Sequence, residues 1–394
     1  MIRVLGDVDA AEDAVAEAFA IAAQRWSVEG VPQNPGGWIT TTARNRAIDR
    51  HRRDVMRSER HHDVEYLDRG EVTTTPSLGE LDFGDPTIVE EDQLRLIFLC
   101  CHPSLAPDAQ VALTLRLLGG LETGEIARAF LVPEATIAQR IVRAKRKVRD
   151  SAATYGLPGG DEVGPRLSAA FSTVYLIFNE GHTASSGSEL SRPDLIAEAI
   201  RLGRVLVQLV PSEPEAVGLL ALMLLTEARR AARIGPDGGL VRLADQDRTL
   251  WNAELIEEGH GLVRECVERD EPGSYQIQAA IAAVHAAAPN AGATEWWQIV
   301  TLYDQLLTFQ PNDVVRLNRA IAVAQVSGAQ AGLDAVGSLD LSEYHLFHAT
   351  RAEFLARLGR QGEALDAIDR AVELATNEAE GRFLLVRRDE LSES

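Results

Sequence analysis

Three groups of side chains have types and spacings that could do chemistry. Near the start, Asp9, Asp13 and Glu17 recur every four residues, with Glu12 between them and Phe19 just beyond. On a helix these acids stack on one face as mildly repelling like charges. A capping box of Asp9 with Glu12, favoured by the helix dipole, accounts for Asp9, Glu12 and Asp13 but leaves Glu17 over. The ladder is either a solvated face or a docking surface for a basic partner. The second group follows Trp38: Asn45, then Arg46, Arg50, Arg53 and Arg57 at helical spacing, with seven arginines and three acids from Arg44 to Arg60. Such a stripe can track phosphates, and a tryptophan can stack on an unpaired base. The same residues also suit a core tryptophan beside a solvated face. The third group runs from Arg140 to Arg149, with six bases and no acids, including Lys145 and Lys147, the sole lysines of the chain.

Constellations of an enzymatic or metal-binding kind are weaker. Cys100, Cys101 and His102 lack the second Cys/His pair that a tetrahedral zinc site needs, so buried cysteines on a helix from Leu94 to Cys101 are expected. Asn179-Glu180-Gly181-His182 has no accompanying nucleophile and is expected to mark a helix end at Gly181. Asp245, Asp247 and Arg248 are assigned to capping and ion pairs, and His345 and His348 to packing. No catalytic residue, metal or cofactor is expected.

The elements that must position these groups are helical throughout. Apolar residues recur at helical spacing, and no hairpin turn sits between alternating runs, so the fold is expected to be all-α. The second group lies on a helix starting after Pro35-Gly36-Gly37, with Ile39, Ala43 and Ala47 as its buried stripe. The third follows a short helix from Leu121 to Phe130, capped by Thr123, a tight turn at Leu131-Val132, and Pro133, which suits a helix's first turn. Ile137, Ile141, Ala144 and Val148 form the apolar face of the second helix. These are the parts of a DNA-binding helix-turn-helix. Glu134, Thr136, Gln139 and Arg140 are placed to reach base edges, and Arg143, Arg146 and Lys147 to hold phosphates.

Turn-rich, acidic residues 61–89 form a linker, and glycines and prolines in 154–165 mark a second boundary. The pieces are 1–60, 90–152 and 166–394. In the last, Gly328–Ala335 resembles Gly359–Ala367, with Leu333 and Leu365 in register. That spacing is near the roughly 34-residue period of tetratricopeptide repeats. Ala352, Gly359, Ala364 and Ala371 suit helix contacts and turns.

The formal charge of −20 argues against nucleic acid for the chain as a whole. Residues 1–155 hold 19 bases and 24 acids, so most of the excess acid lies behind them. The longest apolar run, Ala216–Leu225, is too short to span a membrane, and the first residues do not form a secretory signal. Three cysteines, two of them adjacent, point to the reducing cytoplasm.

Together the motifs resemble extracytoplasmic-function sigma factors of the sigma-70 family. Asp9 through Phe19 is similar to their second conserved region. Trp38-Ile39 through Arg53 is similar to their promoter-melting helix. Glu125-Ile126-Ala127 followed by Thr136 through Ala144 is similar to their second DNA-binding domain. The resemblance implies core RNA polymerase (its beta-prime clamp and beta flap) and promoter DNA as partners. Asp9, Glu12, Asp13, Glu17 and Phe19 would dock on the clamp. Trp38, Asn45, Arg46, Arg50 and Arg53 would hold the opened -10 element, with the loop Val31 to Gly37 receiving an extruded base. Glu134 to Lys147 would read the -35 element.

Tyr175 to His182, Asp245 to Trp251 and Tyr275 to His285 resemble a subgroup with a tetratricopeptide-like C-terminal extension. That resemblance implies that the extension modulates activity in place of an anti-sigma partner, through a protein or ligand of its own. The family has a further helix before Gly6-Asp7, so region 2 is expected to be N-terminally truncated here. An acidic extension covering the basic helices is a further expectation. Two alternatives stay open: a helix-turn-helix regulator independent of polymerase, and an enzyme around Glu180, His182 and Asp247.

Overall fold

The computed structural model describes residues 8–61, 86–150, 159–184, 190–235 and 239–393, the side chains of 50–61, 86–91 and 160 excepted. The described elements are helices, with one isolated antiparallel bridge between Ile234 and Leu240. The all-α expectation therefore holds. Most of the 61–89 linker, the 154–165 boundary up to residue 158 and the segment before Val8 lie outside the described residues. The chain divides into two compact units, residues 1–120 with 138–170, and 121–137 with 171–394. This cuts through the helix-turn-helix, which the sequence pieces kept whole.

In the first unit, α1 (Val8–Glu29) buries Val8, Ala11, Ala14, Ala18 and Ala22, a stripe mostly of small residues on which α2 (Pro35–His61) packs. Ala43 and Ala47 of α2 are fully buried and Ile39 is half-buried. The α2 helix starts at Pro35, earlier than its glycines suggest. Asn34 Oδ1 accepts from Gly37 N at 2.9 Å, and Pro35 has no N–H to leave unpaired. The α3 helix (Pro86–Cys100) packs on α4 (Pro107–Leu117), with Cys100 Sγ against Leu113 O and Phe98 and Leu115 buried. Gln110 braces the turn between them by donating to the carbonyls of Cys101 and His102, at 3.3 and 3.0 Å.

The unit boundary crosses α6 (Glu134–Asp150) and α7 (Val163–His182), while α5 (Thr123–Ala129) belongs to the second unit. That unit continues through α8 (Pro193–Leu209), α9 (Pro214–Glu227), α10 (Ala253–Arg269) and α11 (Ser274–Ala287). The run Ala216–Leu225 lies in α9 and is buried on every side, which makes α9 a core helix. No described helix is long and apolar enough to cross a membrane. Gly218 lets α11 approach: a Cβ there would stand 2.6 Å from the backbone N of Gln276. Glu215 of α9 caps the same helix, accepting from Tyr275 N and Gln276 N at 3.1 Å.

The chain ends with α12 (Trp296–Phe309), α13 (Asp313–Ser327), α14 (Ala329–Val336), α15 (His345–Arg357), α16 (Gln361–Leu374) and α17 (Glu378–Glu393). Their cores follow one another along the chain, each joining neighbouring helices. Leu333 touches two successive cores, and Ala352, Ala364 and Ala371 are buried where consecutive helices meet. The two matching sequence segments fall on α14 and α16, with Gly359 at φ +71° in the preceding turn.

Candidate nucleic-acid interface

The α5 helix begins at Thr123, but its N-cap is Glu122, correcting the expected Thr123 cap. Glu122 and Glu125 form the reciprocal box: the side chain of Glu122 accepts from the backbone at Glu125, and Glu125 Oε2 accepts from Glu122 N at 2.7 Å. The helix closes with Phe130 N donating to Ile126 O at 3.0 Å and Val132 N to Ala127 O at 3.1 Å. Leu131 makes this turn at φ +51°, in the left-handed region a branched side chain rarely occupies. Pro133 stands just before α6, its carbonyl accepting from Ile137 N.

Ile137, Ile141, Ala144 and Val148 of α6 are buried, as expected. Glu134, Thr136, Gln139, Arg143, Arg146 and Lys147 are exposed. Arg140 is half-buried and pairs with Asp108 of α4 at 3.4 Å. Arg146 pairs with Asp150 one turn on, at 3.4 Å.

The acid ladder of α1 is not the uncompensated stack of the sequence reading. Lys145 donates to Asp9 Oδ1 at 2.8 Å and also to Glu12. Arg149 reaches Asp9 at 3.4 Å and Arg116 reaches Glu12 at 3.8 Å. Only 11% of the Lys145 side chain is exposed. Burial opposes its charge, yet hydrogen bonds to Asp9 and Glu12 outweigh burial and raise its pKa above the ordinary value. The short-range Asp9–Glu12 capping box is thus replaced by a contact across more than 130 residues, which carries no local signal. The acids paired to Lys145 and Arg149 come from α1, where the charge-masking expectation placed the extension. Asp13 and Glu17 are exposed on α1, and Phe19 is 56% exposed.

On α2, Asn45 and Arg46 are exposed. The side chains of Arg50 and Arg53 lie outside the described residues. Trp38 is half-buried against Trp26, edge to face with ring centroids 5.4 Å apart. It therefore has a packing partner and a partly open face. The loop to α2 spans Gly30 to Asn34, shorter than the expected Val31 to Gly37, because Asn34 starts the helix.

The enzyme-like groups have structural tasks. Cys100 and Cys101 are buried, Cys100 against Leu113 O and Cys101 against Thr114, and burial raises the Cys100 thiol's pKa. Among the described residues no cluster of three metal-ligating side chains occurs. Gly181 lies in the last turn of α7, which ends at His182, and a Cβ there would meet Ile196 N at 2.8 Å. Asp247 accepts from Thr249 Oγ1 at 2.6 Å and from Thr249 N at 2.9 Å, which lowers its pKa, and Asp245 pairs with Arg242. His348 Nε2 meets Ser342 O at 2.7 Å, while His345 faces Glu380 at 3.4 Å.

Three family matches cover successive stretches: Sigma-70 region 2 over residues 1–55, Sigma-70 region 4 over residues 95–148, and a family of unknown function, DUF6596, over residues 166–267. An uncharacterized protein of Rhizobium meliloti is 40% identical across this whole chain and 92% of its own length. A probable ECF RNA polymerase sigma factor, SigI, of Mycobacterium tuberculosis is 28% identical over 149 residues, 38% of this chain and 49% of its own. No solved structure matches.

Proposed function

The chain belongs to the extracytoplasmic-function group of the sigma-70 family, and from that premise we propose that it brings core RNA polymerase to promoters by three contacts. Asp13, Glu17 and Phe19 of α1 dock on the basic clamp, joined by Asp9 and Glu12 once these leave Lys145 and Arg149. Trp38, Asn45, Arg46, Arg50 and Arg53 of α2 hold melted -10 bases by stacking and phosphate contacts. The exposed residues of α6 read the -35 duplex. The carrying observation is α6 itself: six of its seven predicted DNA-contacting residues are exposed, opposite a fully buried apolar face. No covalent chemistry is required, since trapping unstacked bases drives melting.

The extension is the proposed modulator. Its support is that α5, the first helix of the helix-turn-helix, falls in the same compact unit, where Leu121, Glu125 and Arg128 line a pocket with Arg192, Asp194 and Arg201 of the α8 region. Holding α5 in that unit is the means by which the extension would bias α6.

Run-off transcription with core polymerase tests this reading, comparing the full chain, a chain ending at Asp150 and the Asp13→Lys/Glu17→Lys variant. The full chain should support promoter-dependent initiation, and the charge reversal should weaken co-purification with core polymerase at least tenfold. Absence of initiation from both the full and the shortened chain defeats the proposal. Equal initiation from the two defeats the modulatory part alone.

A further inference from the structure

The region left over by transcription is a set of cations inside the C-terminal unit. Arg229 follows α9 and is half-buried. Among the described residues its guanidinium has no hydrogen-bond acceptor and no ion-pair partner. The neighbouring charges that act on it are Arg233 and Arg248, both of its own sign. Each neighbour is committed elsewhere. Arg233 donates to His182 O at 2.6 Å and to Thr183 Oγ1 at 3.2 Å. Arg248 donates to His285 O at 2.6 Å and Ala288 O at 2.5 Å, with its guanidinium 4.4 Å above the Trp251 ring. Trp251 is buried, with an exposure of 7%, yet among the described residues its indole Nε1 has no acceptor and the buried His182 Nδ1 has no partner. Asn252 N donates to Ala228 O at 2.9 Å, which ties the Trp251 segment to the backbone beside Arg229.

The neighbouring acids act on Arg233 and not on Arg229. Glu227 Oε1 pairs with Arg230 at 2.5 Å while its buried Oε2 has no hydrogen-bond partner among the described residues, and Glu380 faces His345. Burial, with Arg233 and Arg248 adding to it, lowers the pKa of Arg229 to about 10. Burial beside these arginines also holds His182 at about 2 and His285 at about 4, so both imidazoles are neutral at pH 7. Arg229 and the indole N–H of Trp251 are left without an acceptor among the described residues, which is costly unless something accepts from them.

We propose that Arg229, Trp251 Nε1 and His182 form a binding site for a phosphoryl group, framed by Arg233 and Arg248. Several donors of different geometry around one cation suit a group with three or four acceptor oxygens better than a planar carboxylate. The site uses motifs that the DNA-binding function leaves unassigned: Asn179 to His182, Asp245 to Trp251, and Tyr275 to His285. As an input to transcription it rests on the modulatory reading above, but binding itself does not.

The test is calorimetric titration of the full chain with inorganic phosphate, against acetate at the same ionic strength. Phosphate should bind saturably at one site per chain, with acetate at least tenfold weaker. Arg229→Gln should weaken phosphate binding at least tenfold. Trp251→Phe, which keeps the ring under Arg248 and removes one N–H, should weaken it about threefold to tenfold and serves if Arg229→Gln does not fold. Arg204→Gln, which breaks a pair with Glu258 elsewhere in the unit, should change nothing. Absence of saturable phosphate binding, or binding unchanged in both site variants, overturns the site. Acetate binding as tightly as phosphate overturns the phosphoryl assignment. Phosphate that binds but leaves transcription unaltered counts against the modulatory reading and not against the site.

Discussion

The positive charge of α6 and that around Arg229 are handled in opposite ways. On α6, Arg140, Lys145, Arg146 and Arg149 each face a carboxylate of the same chain, at positions from half-buried to exposed. Such pairs are worth little individually, and water, phosphate or another protein can replace either partner. Around Arg229 the cations are half-buried, Arg233 and Arg248 lean on backbone carbonyls, and among the described residues no carboxylate pairs with Arg229 itself. The first arrangement suits exchange of partners; the second suits a ligand that completes it. Charge counts along the chain do not separate the two, because the acidic back half contains the uncompensated cluster.

Acid should expose this contrast most strongly. His182 and His285 are neutral when folded, with pKa values of about 2 and about 4, and take up protons near pH 6.5 when unfolded. The unfolded state then binds more protons as pH falls, so their contribution is intact above pH 6.5 and lost below it. Between pH 6.5 and 5.0 each histidine should lower stability by roughly 2 kcal/mol. Urea unfolding followed by circular dichroism at both pH values measures this, and His182→Gln and His285→Gln should each remove about half of the change. An unaltered pH dependence in both variants would erase the distinction between the regions.

A middle-sized effect is expected from Asp9→Asn/Glu12→Gln. Loss of both acids leaves the largely buried Lys145 without a charged partner and should destabilise by about 1–3 kcal/mol. The same change releases Lys145, so the salt dependence of duplex binding should steepen by about one phosphate contact. Fluorescence anisotropy across a potassium chloride series reads this directly. An unchanged slope would mean that the α1 pairs do not compete with DNA.

The smallest effect belongs to Leu131→Gly. Relief of the φ +51° turn should stabilise by up to about 1 kcal/mol, offset in part by the freer unfolded chain. Thermal unfolding measures it, and a loss of more than about 1 kcal/mol would show that the leucine side chain, not the backbone, secures the turn.

Much of the front of the molecule was legible because its signals are local. The apolar face of α6 shows in the spacing of Ile137, Ile141, Ala144 and Val148, and the turn shows in Leu131-Val132-Pro133. The start of α2 was missed because Gly36 and Gly37 resemble a loop, while the deciding group is the side chain of Asn34. The Thr123 cap was missed because glutamate is an uncommon N-cap, though Glu122 with Glu125 has the spacing of the box.

The sequence alone determined the helical class, the order of the motifs, the buried face of each basic helix and the family they point to, because these depend on periodicity and on neighbours within a few residues. Only the tertiary structure decided which charges meet. It set Lys145 on Asp9 and Glu12 across 136 and 133 residues, capped α11 with Glu215 of α9, and gathered Arg229, Arg233 and Arg248 without an acid for Arg229. Electrostatic pairing depends on distance and burial in space, and neither is recorded in the spacing of residues along the chain.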